Sequence, residues 1–339
     1  MPATPTTLHD VAREAGVSPA TVSRALTGGT VSPTTRAAVR AVADRLGYRP
    51  NRAARGLITG RAGALGLVVP DLTNPFFADV AKGVAARARA ADLPVFVTDT
   101  DEEAGLEVEA VASLRRSTDG LLLCSPRASD AELLEVADRA TTVLLHRRVD
   151  GLPSVAADLA DGTRQAVEHL RALGHRRVAY VPGRPSSWAG AQRDVGLAAA
   201  AADGGVEVVR CAAVAPTFAG GVQAADLVLA DGATAVLAYN DLVAVGLLSR
   251  AAARGVRVPD DLSVVGHDDT VATMGHPALT TVDVPQRRAG GTAVDLLLRL
   301  VAAARVNAGA PSAAAAPGTE VTLATHLVVR ASTAEPRRR

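Results

Sequence analysis

The sequence predicts a small all-α domain followed by an α/β core of two doubly wound parallel-sheet lobes. Three observations predict it. Over residues 7–48, apolar side chains recur at helical spacing, punctuated by cap residues and glycines. From residue 64, short apolar runs alternate with alanine-rich helical stretches, the pattern of parallel strands joined by crossover helices. Between them, around residues 49–63, the periodicity lapses into a basic, glycine-bearing segment. A chain of 339 residues, 48% hydrophobic and 21% charged, has room for two or three domains with substantial cores.

The first stretch, TLHDVAREAGVSPATVSRAL at 7–26, reads as two short helices joined by a tight turn. Thr7 caps the first helix, and Asp10 stands where a capping partner belongs. Leu8, Val11, Ala12 and Ala15 form one apolar face. Gly16 ends that helix, and Ser18 caps the next with Pro19 at its first position. Val22 and Leu26 turn toward the first helix, leaving Ala20, Thr21, Ser23 and Arg24 outward. Ser32 and Pro33 start a third helix whose buried stripe is Val39, Val42 and Leu46, and Gly47 ends it. Three helices of this arrangement make a helix-turn-helix headpiece with a polar, arginine-bearing recognition helix.

Charge agrees with that reading. Residues 1–61 hold nine arginines against Asp10, Glu14 and Asp44, a balance of +6 in a chain whose net charge is +1. The rest of the chain is therefore acidic, and only the head suits a polyanion. A recognition helix enters the major groove with its N-terminal residues toward base edges. Arg24 can fork onto guanine, Ala20 offers a methyl group to thymine, and Pro19, lacking an N–H, reads shape at most. Thr21 and Ser23 suit phosphate, or are plain surface hydroxyls, with Ser18 beside them.

In the connecting segment, Asn51 can cap one short helix reaching Ile58. So short a helix containing Gly56 is marginal alone, so the segment is expected to order only when DNA and a partner hold it. Asn51, Arg52 and Arg55 suit phosphate. Leu57 suits an apolar wedge between base steps, or packing against the core.

Strands are expected at 64–69, 94–99, 120–124, 142–146, 178–182, 206–211, 235–239 and 262–268, with helices at 76–91, 161–173, 221–231 and 241–254 among others. The low-complexity run 302–318 reads as a surface insertion. Open α/β sheets bind ligands beyond the carboxyl ends of their strands. The candidates there are Asn74 to Phe77, Ser125, His146, Arg147, Ser187, Trp188, Asn240, Asp241 and His267 to Asp269. Among the chain's eight aromatics, Phe76, Phe77, Trp188 and Phe218 are the stacking faces placed for such a cleft. The alternatives are structural: Asn240 as a helix cap, Asp268 capping a turn, Phe76 and Phe77 as core.

Other classes are disfavoured. No apolar stretch approaches the length of a membrane span, and MPATPTTLHD has neither the basic nor the apolar region of a secretory leader. Cys124 and Cys211 read as free thiols in a reducing compartment. The seven histidines show no metal-ligand spacing, and no phosphate-binding loop or nucleophile elbow occurs, so neither a metal, a cofactor nor a catalytic residue is expected.

Five separated motifs resemble the lactose-repressor (LacI/GalR) family of bacterial transcription regulators: VAREAGVSPATVSRAL, GYRPNRAARGL, PDLTNPFF, DGTRQAVEHLRALGHRRVAYVPG, and YNDLVAVG followed by DDLSVVGHDD and LTTVDVP. The resemblance spans nearly the whole chain. It implies a headpiece at 1–49, a hinge helix and linker at 50–62, and a dimerising, effector-binding core at 63–331 that looks like a periplasmic sugar-binding protein. The core would divide into one lobe of about 63–159 plus 288–320 and another of about 160–287 plus 321–331, and residues 332–339 read as a disordered tail. It further implies a homodimer on a pseudopalindromic double-stranded DNA operator in the cytoplasm, acting as a repressor under control of a carbohydrate or nucleoside. An activator of the same build is the alternative; a sugar-binding protein or an enzyme on the same core fits less well. Residues matching Pro19 and Ala20 tune operator choice in the family, Leu57 matches its minor-groove leucine, Arg193 and Asp268 match effector-contacting residues, and Phe76 and Phe77 match pocket positions. Two departures stand out: His146, where relatives commonly carry Asp, and Val284, where many carry Gln.

Overall fold

A computed structural model describes residues 6–27, 29–48, 62–139, 141–202, 204–306 and 319–337. The chain separates into two compact units, Met1–Gly63 and Ala64–Arg339.

The first unit holds α1 (Leu8–Ala15), α2 (Pro19–Thr27) and α3 (Pro33–Arg45). Its helix starts are fixed by local chemistry. The Thr7 hydroxyl accepts from the Asp10 N–H while the Asp10 carboxylate accepts from the Thr7 N–H, a reciprocal capping box. Ser18 and Ser32 accept from the N–H groups of Thr21 and Thr35. Gly16 closes α1 at φ 65°, a conformation that costs glycine little. The three helices share one core of Val11, Ala12, Val22, Ala25, Val39, Val42 and Ala43, with Leu8, Leu26 and Leu46 at its margin.

The second unit carries twelve described strands in two six-stranded sheets. The first sheet contains β1 (Leu65–Val69), β2 (Val95–Asp99), β3 (Gly120–Cys124), β4 (Thr142–Leu145), β5 (Ser154–Ala157) and β11 (Glu320–Leu323), in the order β11-β5-β4-β3-β1-β2. The second contains β6 (Arg177–Val181), β7 (Glu207–Arg210), β8 (Ala235–Ala238), β9 (Ser263–Asp268), β10 (Thr280–Asp283) and β12 (His326–Val328), in the order β12-β10-β9-β8-β6-β7. All pairings are parallel except β10 with β12. The helices are α4 (Pro75–Ala90), α5 (Ala104–Leu114), α6 (Asp130–Arg139), α7 (Leu159–Ala172), α8 (Trp188–Ala202), α9 (Phe218–Ala230), α10 (Asp241–Ala253) and α11 (Gln286–Val306). Central strands such as β1 and β3 are buried at every residue, as parallel strands covered on both faces must be.

The chain crosses between the lobes three times, after β5, after β10 and after β11. The crossings are laced together: Asp158 N donates to Leu323 O, and Thr325 Oγ1 donates to Asp158 O. Helices pack closely where glycine removes a side chain. A Cβ on Gly83 of α4 would stand 2.1 Å from the Arg287 carbonyl of α11.

Several expectations need correction. The lobe division falls after Leu323, because β11 pairs in register with β5, so 321–323 belong to the first lobe. Strands β5, β10, β11 and β12 do not register as apolar runs, because Ser154, Thr280, Thr281, Asp283, Glu320, Thr322 and His326 interrupt stretches of three or four residues. The 332–337 segment is no loose tail. Ser332 is fully buried, its hydroxyl donates to Val264 O and accepts from Thr280 N, and the Ala334 carbonyl meets His175 Nε2 at 3.0 Å. A short polar sequence resembles disorder, but the Ser332 hydroxyl here satisfies backbone groups at the starts of β9 and β10. Residues 302–306 continue α11, and the remainder of the 302–318 run lies outside the described residues.

Candidate functional sites

On the headpiece, α2 presents Ser18, Pro19, Ala20 and Arg24 to solvent, with Thr21 and Ser23 half-buried and Val22 and Ala25 turned into the core. Thr21 is held by Ser18, whose oxygen lies 2.9 Å from its hydroxyl. Arg24 lies back along its own helix, with Nε donating to Ala20 O at 3.3 Å and Nη2 reaching Thr21 Oγ1 at 3.5 Å. These are weak, exposed contacts that a base edge or phosphate could replace. Three other headpiece arginines are engaged: Arg13 with Asp10, Arg45 with Glu14, and Arg36 with Gly29 O. Asn51, Arg52, Arg55 and Leu57 lie outside the described residues.

In the core, the carboxyl ends of both sheets converge on a cleft that opens to solvent. Each sheet reverses strand order between its first and third strands, the switch point where open α/β sheets take ligands. Asn74 comes from β1 and Ser125, Pro126 and Arg127 from β3 in one lobe; Ser187 to Ala189 follow β6 and Tyr239 and Asn240 follow β8 in the other. Phe76, Phe77, His146, Leu159, Arg193 and Asp268 complete the wall.

Of the residues expected there, Phe76, Phe77, Ser125, His146, Trp188, Arg193, Asn240 and Asp268 line the cleft. Arg147 does not. Its guanidinium turns beneath the 126–130 loop, donating to the carbonyls of Pro126 and Ala128 at 2.7 Å each and to Asp130 at 2.6 Å. Phe218 begins α9 and stays 46% exposed, away from the cleft wall. Tyr239 supplies the aromatic face there that sequence reasoning missed; Arg127 was missed as well. Arg127 and Pro126 follow Ser125 directly in the loop after β3, so their place just past a strand end was the signal that could have found them.

Three wall residues at strand ends hold left-handed backbone: Ser125 at φ 46°, His146 at 52° and Asp268 at 104°. Such conformations are strained for residues with a Cβ and persist only where the surroundings impose them, commonly at functional sites. Asn240 caps α10, accepting from Val243 N at 2.9 Å, while its amide donates to Pro216 O; the capping reading is right, and the residue also lines the cleft. Phe76 likewise serves both roles, packing on Phe77 and edge-on to His146 with ring centres 4.9 Å apart.

The electrostatics centre on Arg193. It is buried, its guanidinium lies 4.4 Å over the Tyr239 ring, and Nη2 stands 3.6 Å from Asp268 Oδ1. Its Nε and Nη1 have no hydrogen-bond partner, nor has His146 Nε2. Burial pushes the Asp268 carboxyl well above its usual range, Arg193 opposing and Asp241 adding to the rise. Burial, and then Arg193, hold His146 down at about 4, so its imidazole is neutral at physiological pH. Unpaired buried nitrogens are costly, and they mark where a ligand's acceptors would sit. Val284 is fully buried in the first lobe's core, and the neighbouring Gln286 donates its amide to the Asp268 carbonyl instead. Among the described residues no cluster of His, Cys, Asp or Glu could hold a metal, and no helix is long and apolar enough to cross a membrane.

Comparisons with known proteins agree with this build. Residues 7–51 match the model for bacterial regulatory proteins of the lacI family, and residues 167–333 match a periplasmic binding protein-like domain. Catabolite control protein A of Priestia megaterium is 32% identical over 304 residues, covering 86% of this chain and 92% of that protein. The structure of the lac repressor dimer bound to operator and an anti-inducer superposes with a TM-score of 0.84 at 30% identity, covering 98% of this chain and all of that one. A regulator CelR in complex with cellobiose gives 0.69 at 30% identity, covering 96% and 99%. The head, the two-lobed core and these similarities together make the chain a transcriptional regulator that belongs to the LacI family.

Proposed function

We propose that this chain is a cytoplasmic repressor whose operator affinity is set by a carbohydrate or nucleoside bound between the core lobes. Two headpieces of a homodimer would read the halves of a pseudopalindromic operator through Ser18, Pro19, Ala20, Thr21, Ser23 and Arg24. Asn51, Arg52, Arg55 and Leu57 would follow the backbone and minor groove. The core would take the effector against Phe76, Phe77, Ser125, His146, Trp188, Arg193, Asn240 and Asp268. The observation that carries this reading is the unsatisfied Arg193, a buried fork of donors beside Asp268 and the Tyr239 ring in a solvent-open cleft. A polyol fits that chemistry: hydroxyls accept from the guanidinium and donate to the carboxylate, and a sugar's apolar face stacks on rings. The related CelR holds cellobiose. Dimerisation is supported by the edge strand β2, where Phe96 and Val97 remain 47% and 44% exposed, an apolar edge that a second copy would cover.

The test has two stages. Selection of bound sequences from random DNA should return a pseudopalindrome. Anisotropy titrations on that sequence, with and without a panel of sugars and nucleosides, should then show one that changes affinity. Coupling is reciprocal, so operator DNA must shift that compound's affinity by the same factor. Recovery of single, unpaired half-sites would refute the dimeric reading, and a panel with no effect on DNA affinity would refute the sugar or nucleoside effector.

A further inference from the structure

Glu102 lies in the loop after β2 of the first lobe, with φ at 63°. Its carboxylate is gripped by Arg127, with Nε to Oε2 at 2.8 Å and Nη2 to Oε1 at 3.0 Å. Arg127 is fixed in turn. Its Nη1 donates to Ser125 O, and its backbone N–H donates to the buried Glu107 carboxylate at 2.7 Å. The pair is nearly buried, its side chains only 12% and 10% exposed. Arg184, in the loop after β6, belongs to the other lobe. Its Nε stands 3.8 Å from Glu102 Oε2, and its side chain is 52% exposed. Arg193 with Asp268, Arg87 with Asp295 and Arg147 with Asp130 each stay within one lobe, whereas this pair spans the cleft.

We infer that Glu102 and Arg184 form an electrostatic latch across the cleft mouth, which biases the core toward closed lobes and which Arg127, a cleft-lining residue, holds in position. Arg127 fixes the carboxylate, so only Arg184 must be ordered when the lobes meet. That lowers the entropic cost which makes most exposed ion pairs worth so little. Beneath the latch, Trp188 and Ala189 from the start of α8 pack against the first lobe's core, so closure joins an apolar contact to a charged one. A ligand touching Arg127 would disturb or reinforce the grip on Glu102 and thereby alter closure. The inference builds on the cleft as the effector site, but its test uses no ligand and so fails or succeeds separately.

Trp188 is the chain's one tryptophan and sits at the closing contact, so its fluorescence reports lobe opening directly. Acrylamide quenching of the full chain should rise in Arg184→Ala at low salt, reflecting an about two- to fivefold growth in the open fraction. Arg184→Lys, which keeps the charge, should stay near wild type. Glu102→Gln, on the opposite lobe, should reproduce the rise, and the double variant should add little to it. High salt should bring wild type to the level of Arg184→Ala and leave that variant unmoved. Equal quenching in wild type and Arg184→Ala would overturn the latch. So would an equal salt response in both, or full additivity of the two substitutions.

Discussion

Arg193 and Asp268 stand 3.6 Å apart in the cleft with side chains 4% and 8% exposed, and neither completes the other's hydrogen bonding. At that distance the carboxyl leaves the Nε and Nη1 donors of the guanidinium unfilled. A ligand bound there, as we propose, would find both partners already desolvated and oriented, which would remove part of the ordering cost of binding.

Replacing Arg193 should reveal this. Arg193→Lys keeps the charge but loses the planar fork, and it should weaken binding of any sugar that stabilises the wild type by at least about tenfold. Isothermal titration would read it. Asp268→Asn should produce a comparable loss while leaving headpiece binding to DNA intact. Unchanged affinity in both variants would remove the pair from the site.

Stability should depend on pH through Asp241, a fully buried carboxylate that accepts from Thr281 Oγ1 and Thr270 N. Burial, above all, raises it from 3.8 to about 7. The native state thus holds a proton that the unfolded chain has released between those values, so unfolding free energy declines as pH rises from about 4 to 7. The full effect amounts to up to about 4 kcal/mol. Asp241→Asn should flatten that decline in urea denaturation at pH 5 and pH 8. A slope identical to wild type would show that the carboxyl titrates normally.

Specific DNA binding should depend on Arg24. Arg24→Ala should cost about 1–3 kcal/mol on the selected operator and relax one base position. An equal loss on every sequence would make Arg24 a phosphate contact.

The helix pair α4 and α11 should not tolerate a methyl group at Gly83. With the Arg287 carbonyl 2.1 Å from the added Cβ, Gly83→Ala must push the helices apart, an overpacking worth about 1–3 kcal/mol. A lowered melting temperature with the secondary structure kept would confirm it; an unchanged one would mean that the helices shift freely.

Much of this molecule was written in short stretches. The Thr7–Asp10 box and the caps at Ser18, Ser32 and Asn240 use partners within a few residues, and β1, β3 and β8 are contiguous apolar runs, so sequence alone made them legible. It likewise placed the exposed polar face of α2 and most of the cleft wall, because strand ends converge wherever parallel sheets are doubly wound. The tertiary structure decided what depends on distant neighbours. It turned Arg147 under a loop and Arg127 into the cleft, made Tyr239 the ring beneath Arg193, and docked Ser332 on β9. It also brought Glu102 and Arg184 face to face from opposite lobes. A side chain's charge and shape are fixed by its identity. Its direction and its proton are fixed by burial and by partners that only the folded chain assembles.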